Sequence, residues 1–261
     1  MMKAYLKKSS VQTTLWCLAI ILVWEVSSRL GLVNVYLLPP FSKVCTRMLE
    51  ELLTSSLMLQ VCNSLMVVIE GFLISFGIAI LLTVLCTWSG VAESFCNALC
   101  TILNPLPGMA LLPLVMMWFG VNNGAMLFLI VHGVLWPLLT NLLAGFRSTP
   151  VIYRDFAKNI GLSPTHLVFD ILLFAVMPYF ISGIRIGWGR AWRALISAEM
   201  VFGMIGTLGG LGYYIYTYRA YGNISNVLAG VLIIVIIGIA MEQVFKWLER
   251  HTVEKWGMSN G

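Results

Sequence analysis

Charge is what this sequence has least of. Asp, Glu, Lys and Arg make up 10% of its 261 residues and hydrophobic types 59%, where a soluble domain carries roughly 25% charged residues. That excludes a soluble enzyme. The net charge of +5 does not point to nucleic acid, because the positions of the charges matter more than their sum. The chain also lacks G-x-x-x-x-G-K-[ST], so it has no P-loop with which to hold ATP. Its three His and six Cys are scattered, with no paired spacing for zinc and no Ser-His-Asp arrangement. A membrane enzyme would therefore lack its catalytic or metal-binding cluster. No internal repeat is evident, although ion-gradient secondary transporters often show one.

What the sequence has is long apolar runs. About 20 mostly apolar residues cross a bilayer as a helix, and six stretches qualify: about 13–32, 64–87, 95–119, 124–146, 177–203 and 225–247. The third is interrupted by Asn104, Pro105, Pro107 and Pro113, which kink or break a buried helix whose freed backbone groups neighbours then satisfy. The first follows a basic start, "MMKAYLKK", as a signal peptide would. No small-residue cleavage site follows it, and Glu25 and Arg29 sit where one belongs, so the stretch reads as a retained span.

Six spans place both termini on one side. With the termini inside, the internal set is Lys3, Lys7, Lys8, Arg147, Arg154, Lys158, Lys246, Arg250 and Lys255, against Lys43, Arg47 and Arg219 outside. Basic residues favour the cytoplasm, so the termini are expected there. Cys17, Cys86, Cys96 and Cys100 fall in or beside spans as small packing residues. Cys45 and Cys62 fall outside, where they either bridge or stay free, since sequence does not give their separation. Tyr213, Tyr214, Tyr216, Tyr218 and Tyr221 suit an external interfacial belt.

The longest internal connection, about 147–176, reads "RSTPVIYRDFAKNIGLSPTHLVFDILLFAV". Val151 to Ile160 can form a short amphipathic helix, opened by Pro150 and ended at Gly161 in a left-handed turn. Ile152, Phe156 and Ile160 make one apolar stripe, and Arg154, Asp155 and Lys158 lie on the other side. A solvated loop helix has the same appearance.

Asp155-Phe156-Ala157, three residues, then Gly161 resembles the "EAA" loop of ABC importer permeases. "LLFAVMPYFISGIRIGWGRAWRALISAEM" resembles their nitrate/sulfonate/taurine/bicarbonate branch, as do "LLPPFSKV", "LNPLPGMALLPLVMMWFG", "LGGLGYYI" and "LERHTVEKW". The likeness runs from about Leu37 to Trp256. It departs from the family where the usual Glu and first Ala are Asp155 and Phe156, and where a proline expected near Phe174 is missing, although Pro178 is kept. The resemblance implies an all-α integral membrane protein of the type I ABC importer permease fold: one domain over 1–261, six spans, and a coupling loop at 147–176. It implies half of a pore, completed by a second permease copy, in a bacterial cytoplasmic membrane. Two separate ATPase subunits would hold ATP and Mg and dock on Asp155, Phe156, Ala157 and Gly161. An extracytoplasmic binding protein would deliver the solute. The branch carries small anions, while similar permeases serve vitamins and their precursors.

The fifth span holds Arg185, Arg190, Arg193 and Glu199 in an apolar setting. An intramembrane charge costs at least a few kcal/mol and usually marks a pathway or a paired site. With Arg185 at 0° on a helix, Arg193 falls near about 80° and Arg190 near about 140°. Glu199 lies about 21 Å further along the axis, too far to pair with Arg185 within the helix. Gly183, Gly187, Ala191, Ala194 and Ala198 make a small-residue seam that lets another helix approach closely. Two readings of the cations stand. In one they pair with acids such as Glu70, Glu25 or Asp170, or snorkel to a surface. In the other Arg190 and Arg193, with Glu199, meet the translocation path of an anion. His132 reads as a hydrogen-bonded packing residue rather than a proton relay.

Overall fold

The structure is a computed structural model that describes residues 2–148, 159, 161, 173–206 and 208–254. Its elements are helical: α1 Met2–Arg29, α2 Phe41–Thr54, α3 Leu57–Trp88, α4 Gly90–Leu103, α5 Gly108–Phe119, α6 Asn123–Ser148, α7 Leu173–Phe202, α8 Leu211–Ala220 and α9 Ile224–Glu249, with a π-helical turn at Arg250–Glu254. Among the described residues, four helices are long and apolar enough to cross a membrane: Val11–Arg29 of α1, then α3, α6, and Ile224–Thr252, which is α9 with the start of its π turn.

The other two expected spans differ from simple apolar helices, each for a physical reason. The third is two helices, α4 and α5, meeting at 101°. Residues 104–107 are Asn-Pro-Leu-Pro. Neither proline has a backbone N–H with which to continue the ladder; Asn104 itself keeps helical angles, φ −63° and ψ −40°, but the helix ends at Leu103 and a new one starts at Gly108. Taken as one bent span the pair would be the fifth, and a corner this sharp equally fits a re-entrant loop. The fifth expected span is α7, whose 30 residues exceed the need. Its three arginines and Glu199 give it more charge than an apolar spanning helix carries.

Helix α6 is the centre of the bundle, with 67% of its most apolar stretch buried, against 28% for α3 and 6% for α1. Its main partner is α7. A Cβ on Gly183 would stand 3.1 Å from the side chains of Leu138 and Asn141, one on Gly187 3.1 Å from Val134, and one on Gly145 2.8 Å from Val176. Without those Cβ atoms the helix surfaces touch directly. Ala191, Ala194 and Ala198 are buried along the same helix. Between apolar helices in lipid such close packing replaces the hydrophobic drive that water would supply.

Among the described residues, the hydrogen bonds that tie α1 to the rest of the structure come from its C-terminal end. Trp24 Nε1 donates to the Pro39 carbonyl at 3.0 Å and Ser28 Oγ to that of Leu38 at 2.8 Å. The Glu25 carboxylate accepts from the backbone N–H and hydroxyl of Ser42, at 3.0 and 2.8 Å. It thereby satisfies an orphan donor at the start of α2 and sits at that helix's positive end. Arg29 closes the group at 2.6 Å. All six cysteines are free thiols.

Candidate functional site

The arginines of α7 have three different surroundings. Arg185 forms a two-pronged pair with Glu242 of α9: its Nε lies 3.1 Å from Oε2 and its Nη2 donates to Oε1. Glu249 stands 3.8 Å away and Lys246 lies 3.6 Å from Glu242. The expected partners are thus replaced. Glu25 is taken by Arg29 and Ser42, Glu70 is exposed, and Asp170 lies outside the described residues. The missed signal was depth. Arg185 lies in the first half of α7 and Glu242 in the last third of α9, and the two neighbouring helices bring them level.

Arg190 is half-buried. Its Nη1 donates to the backbone carbonyl of Asn104 at 2.9 Å and to the side-chain oxygen at 2.6 Å. Asn104 is the C-cap of α4, and the carbonyls at a helix end lack partners within the helix. A cation there also meets the negative end of the helix dipole. Arg190 therefore ties α7 to the break between α4 and α5. Arg193 is exposed, and no acidic side chain among the described residues pairs with it.

Two cavities meet at these side chains. One, of about 450 Å³, is lined by Asn104, Pro107, Gly108, Met109, His132, Ser197 and both Arg190 and Arg193. The other, of about 500 Å³, shares Arg190 and Arg193 and adds Arg185, Glu242 and Glu249. Among the described residues no acid lines the first, and two line the second. His132 departs from expectation: it is 9% exposed, and neither ring nitrogen has a hydrogen-bond partner among the described residues.

Glu199 lies elsewhere. Its carboxylate is buried and accepts from Ser64 Oγ at 2.7 Å and from the Gly212 N–H at 2.7 Å. Ser64 Oγ in turn accepts from the Leu211 N–H at 2.9 Å. These N–H groups open α8, so Glu199 and Ser64 together cap that helix. Glycine is required beside them, because a Cβ on Gly210 would overlap the Glu199 carboxylate and one on Gly212 the carbonyl of Ile196. Gln60 and Asn63 of α3 hold the preceding turn through the carbonyls of Leu208 and Gly209, at 3.0 and 2.8 Å. Arg190 and Arg193 thus share cavities, and Glu199 lines neither of them.

Of the tyrosines, Tyr216 and Tyr221 are exposed and Tyr214 is buried. Tyr218 donates to Glu51 at 3.3 Å, and Asn226 Nδ2 donates to the same carboxylate at 2.8 Å. Burial and the Glu51 charge push the Tyr218 phenol above its ordinary pKa. Asp155, Phe156 and Ala157 fall outside the described residues. Gly161 has φ +68°, and no described residue lies within 4 Å of where its Cβ would be. Among the described residues no group of three or more His, Cys, Asp and Glu could hold a metal ion.

The chain is similar to an ABC transporter permease protein of Methanocaldococcus jannaschii, provisionally named as such, with 28% identity over 93% of this chain and 91% of that one. It is 28% identical to a bicarbonate transport system permease protein of Synechococcus elongatus, over 89% and 86% of the two chains. With the taurine transport system permease protein of Escherichia coli it shares 25% identity over 92% and 88%. Residues 79–254, from the middle of α3 through the π turn after α9, match the family described as the inner membrane component of binding-protein-dependent transport systems. Members of that family are non-catalytic, multi-pass membrane components working with an ATPase and a binding protein, and this chain belongs to it.

Proposed function

We propose that this chain is half of the translocation pore of an ATP-driven importer of a small anion such as nitrate, a sulfonate, taurine or bicarbonate. The observation that carries the reading is the sharing of Arg190 and Arg193 by two cavities, the first lined by no acid among the described residues. An anion beside them exchanges part of its hydration for charge-assisted hydrogen bonds. Arg185 is already neutralised by Glu242, and the acids of the second cavity weaken the hold on an anion there. Attraction is thus strongest at the first cavity and falls toward the second. The relatives' printed substrates, bicarbonate and taurine, support the same class.

In this reading 1–261 is a single permease domain with six spans, α4 with α5 forming the third and α7 the fifth. Both termini face the cytoplasm of a bacterial cell. Two copies pair as a homodimer. Two ATPase subunits dock on the loop at 147–176, through Asp155, Phe156, Ala157 and Gly161, and hold the ATP and Mg. An external binding protein brings the solute. The close packing of Gly183, Gly187 and Ala191 on α6 makes α6 and α7 one rigid unit, so ATPase closure moves the arginines with it.

The test is uptake in proteoliposomes containing the permease, its ATPase and its binding protein. ATP-dependent accumulation of labelled nitrate, bicarbonate or taurine is expected. Accumulation of a solute that bears no anionic group, with none of these three taken up, refutes the reading.

A further inference from the structure

The break between α4 and α5 opens the first cavity, and the groups around it share one preference. Arg190 spends one nitrogen on Asn104, and a guanidinium carries five N–H donors, so others remain. Arg193 has no acid paired with it among the described residues. Gly108 and Met109 line the cavity at the start of α5, a helix of 12 residues whose N-cap, Pro107, makes no side-chain cap. The first N–H groups of a helix lack internal partners and, with the helix dipole, favour an anion. His132 is the independent observation. It is more than nine-tenths buried, lines this cavity, and leaves both ring nitrogens without partners among the described residues. Buried polar groups are nearly always satisfied, and this unsatisfied imidazole borders the cavity beside Arg190.

We propose that this cavity is a binding site for a small oxyanion, held by Arg190, Arg193, His132, Ser197 and the first N–H groups of α5, so that the membrane subunit itself selects its cargo. The inference rests on the anion-import reading and adds a resting place to it. A guanidinium matches the planar edge of nitrate, bicarbonate or a sulfonate with two parallel N–H donors. A neutral imidazole adds one donor and, unlike a third arginine, no further charge to hold the ion too tightly. The volume of about 450 Å³ is many times the roughly 30 Å³ share of one water, so a small anion enters with some of its hydration. Gly133, next to His132, lies against the Arg190 backbone, where a Cβ would stand 3.6 Å from that of Arg190. That close crossing sets the imidazole and the arginine beside the same space. A cation finds no acid here among the described residues, and an anion leaving past Arg190 and Arg193 meets Glu242 and Glu249.

The test uses the permease–ATPase complex in nanodiscs, without binding protein, titrated calorimetrically with sodium nitrate, sodium bicarbonate and sodium methanesulfonate against a sodium chloride background. Saturable binding of at least one of them is expected, with one site per permease copy. Arg193→Gln should weaken it by at least about tenfold, the loss of one charge-assisted hydrogen bond, and His132→Phe should weaken it too. Arg193 is exposed, so its variant assembles even if His132→Phe does not. Absence of saturable binding, or equal affinity in wild type and Arg193→Gln, overturns the site. In proteoliposomes, wild-type anion uptake with an unchanged rate in Arg193→Gln also overturns it and leaves the importer reading standing. A wild-type complex that takes up none of the three anions overturns both.

Discussion

Replacing Glu199 separates a structural carboxylate from a transport group. Its two oxygens accept from Ser64 Oγ and the Gly212 N–H, both at 2.7 Å, in a buried junction of α3, α7 and α8. Glu199→Gln keeps the shape. Its amide oxygen can face the Gly212 N–H and its NH₂ can face Ser64 Oγ, whose hydroxyl rotates to accept. What is lost is the charge assistance, about 1–2 kcal/mol across the two bonds. Glu199→Ala removes both acceptors. It leaves two buried donors unpaired at about 1–3 kcal/mol each and opens a void, so a loss of about 3–6 kcal/mol is expected. The assay is thermal unfolding of the purified complex followed by size-exclusion, with anion uptake measured on the same preparations. Melting should fall modestly for Gln and severely for Ala. Uptake per folded complex should stay near wild type for Gln. In a double-mutant cycle with Ser64→Ala the two losses should be markedly non-additive. Glu199→Gln that melts like wild type yet takes up no anion would refute this account and return Glu199 to the translocation path.

Gly145→Ala should destabilise the complex by about 1–3 kcal/mol by overpacking α6 against Val176 and Tyr179. Gly238→Ala, with nothing within 4 Å, should be neutral or stabilising, and equal melting shifts for the two would contradict the close α6–α7 contact. Gly161→Val should assemble but uncouple ATP hydrolysis from uptake, because a β-branched residue resists the observed φ of +68°; normal transport by the variant counts against it. Cys45, left as the sole thiol, should react slowly with iodoacetamide, since burial and the Glu25 charge raise its pKa above the ordinary value. The thiolate is the nucleophile, so the rate should still be climbing at the pH where an exposed thiol levels off; levelling at the ordinary thiol pKa would contradict this.

The spans were legible wherever apolarity and length agreed, as in α3, α6 and α9, because a bilayer imposes one period and one length. The break at Asn104–Pro107 was legible as an interruption, but its angle was not, since proline chemistry says where hydrogen bonds stop and not where the chain turns. The arginines were visible as an anomaly. Their partners were not: Glu242, Asn104 and the lack of an acid paired with Arg193 among the described residues depend on which helices are neighbours. Glu199 was grouped with the cations because it shares their helix. Its role comes from residues 135 positions earlier and 13 positions later, a separation that helix periodicity does not see. His132 looks satisfied from sequence because buried histidines usually are.

The 101° corner between α4 and α5 bears on movement. Tilting one half of an unbroken helix inside a bilayer severs backbone hydrogen bonds where no water can replace them. At this corner two of the four intervening residues are prolines with no hydrogen to give, and the loose carbonyl of Asn104 is held by Arg190. α5 can therefore swing against α4 while each keeps its own ladder intact. The resistance to that swing comes from side chains around the cavity, so an ion that bridges Arg190 to the first turn of α5 would act as a clasp on the hinge.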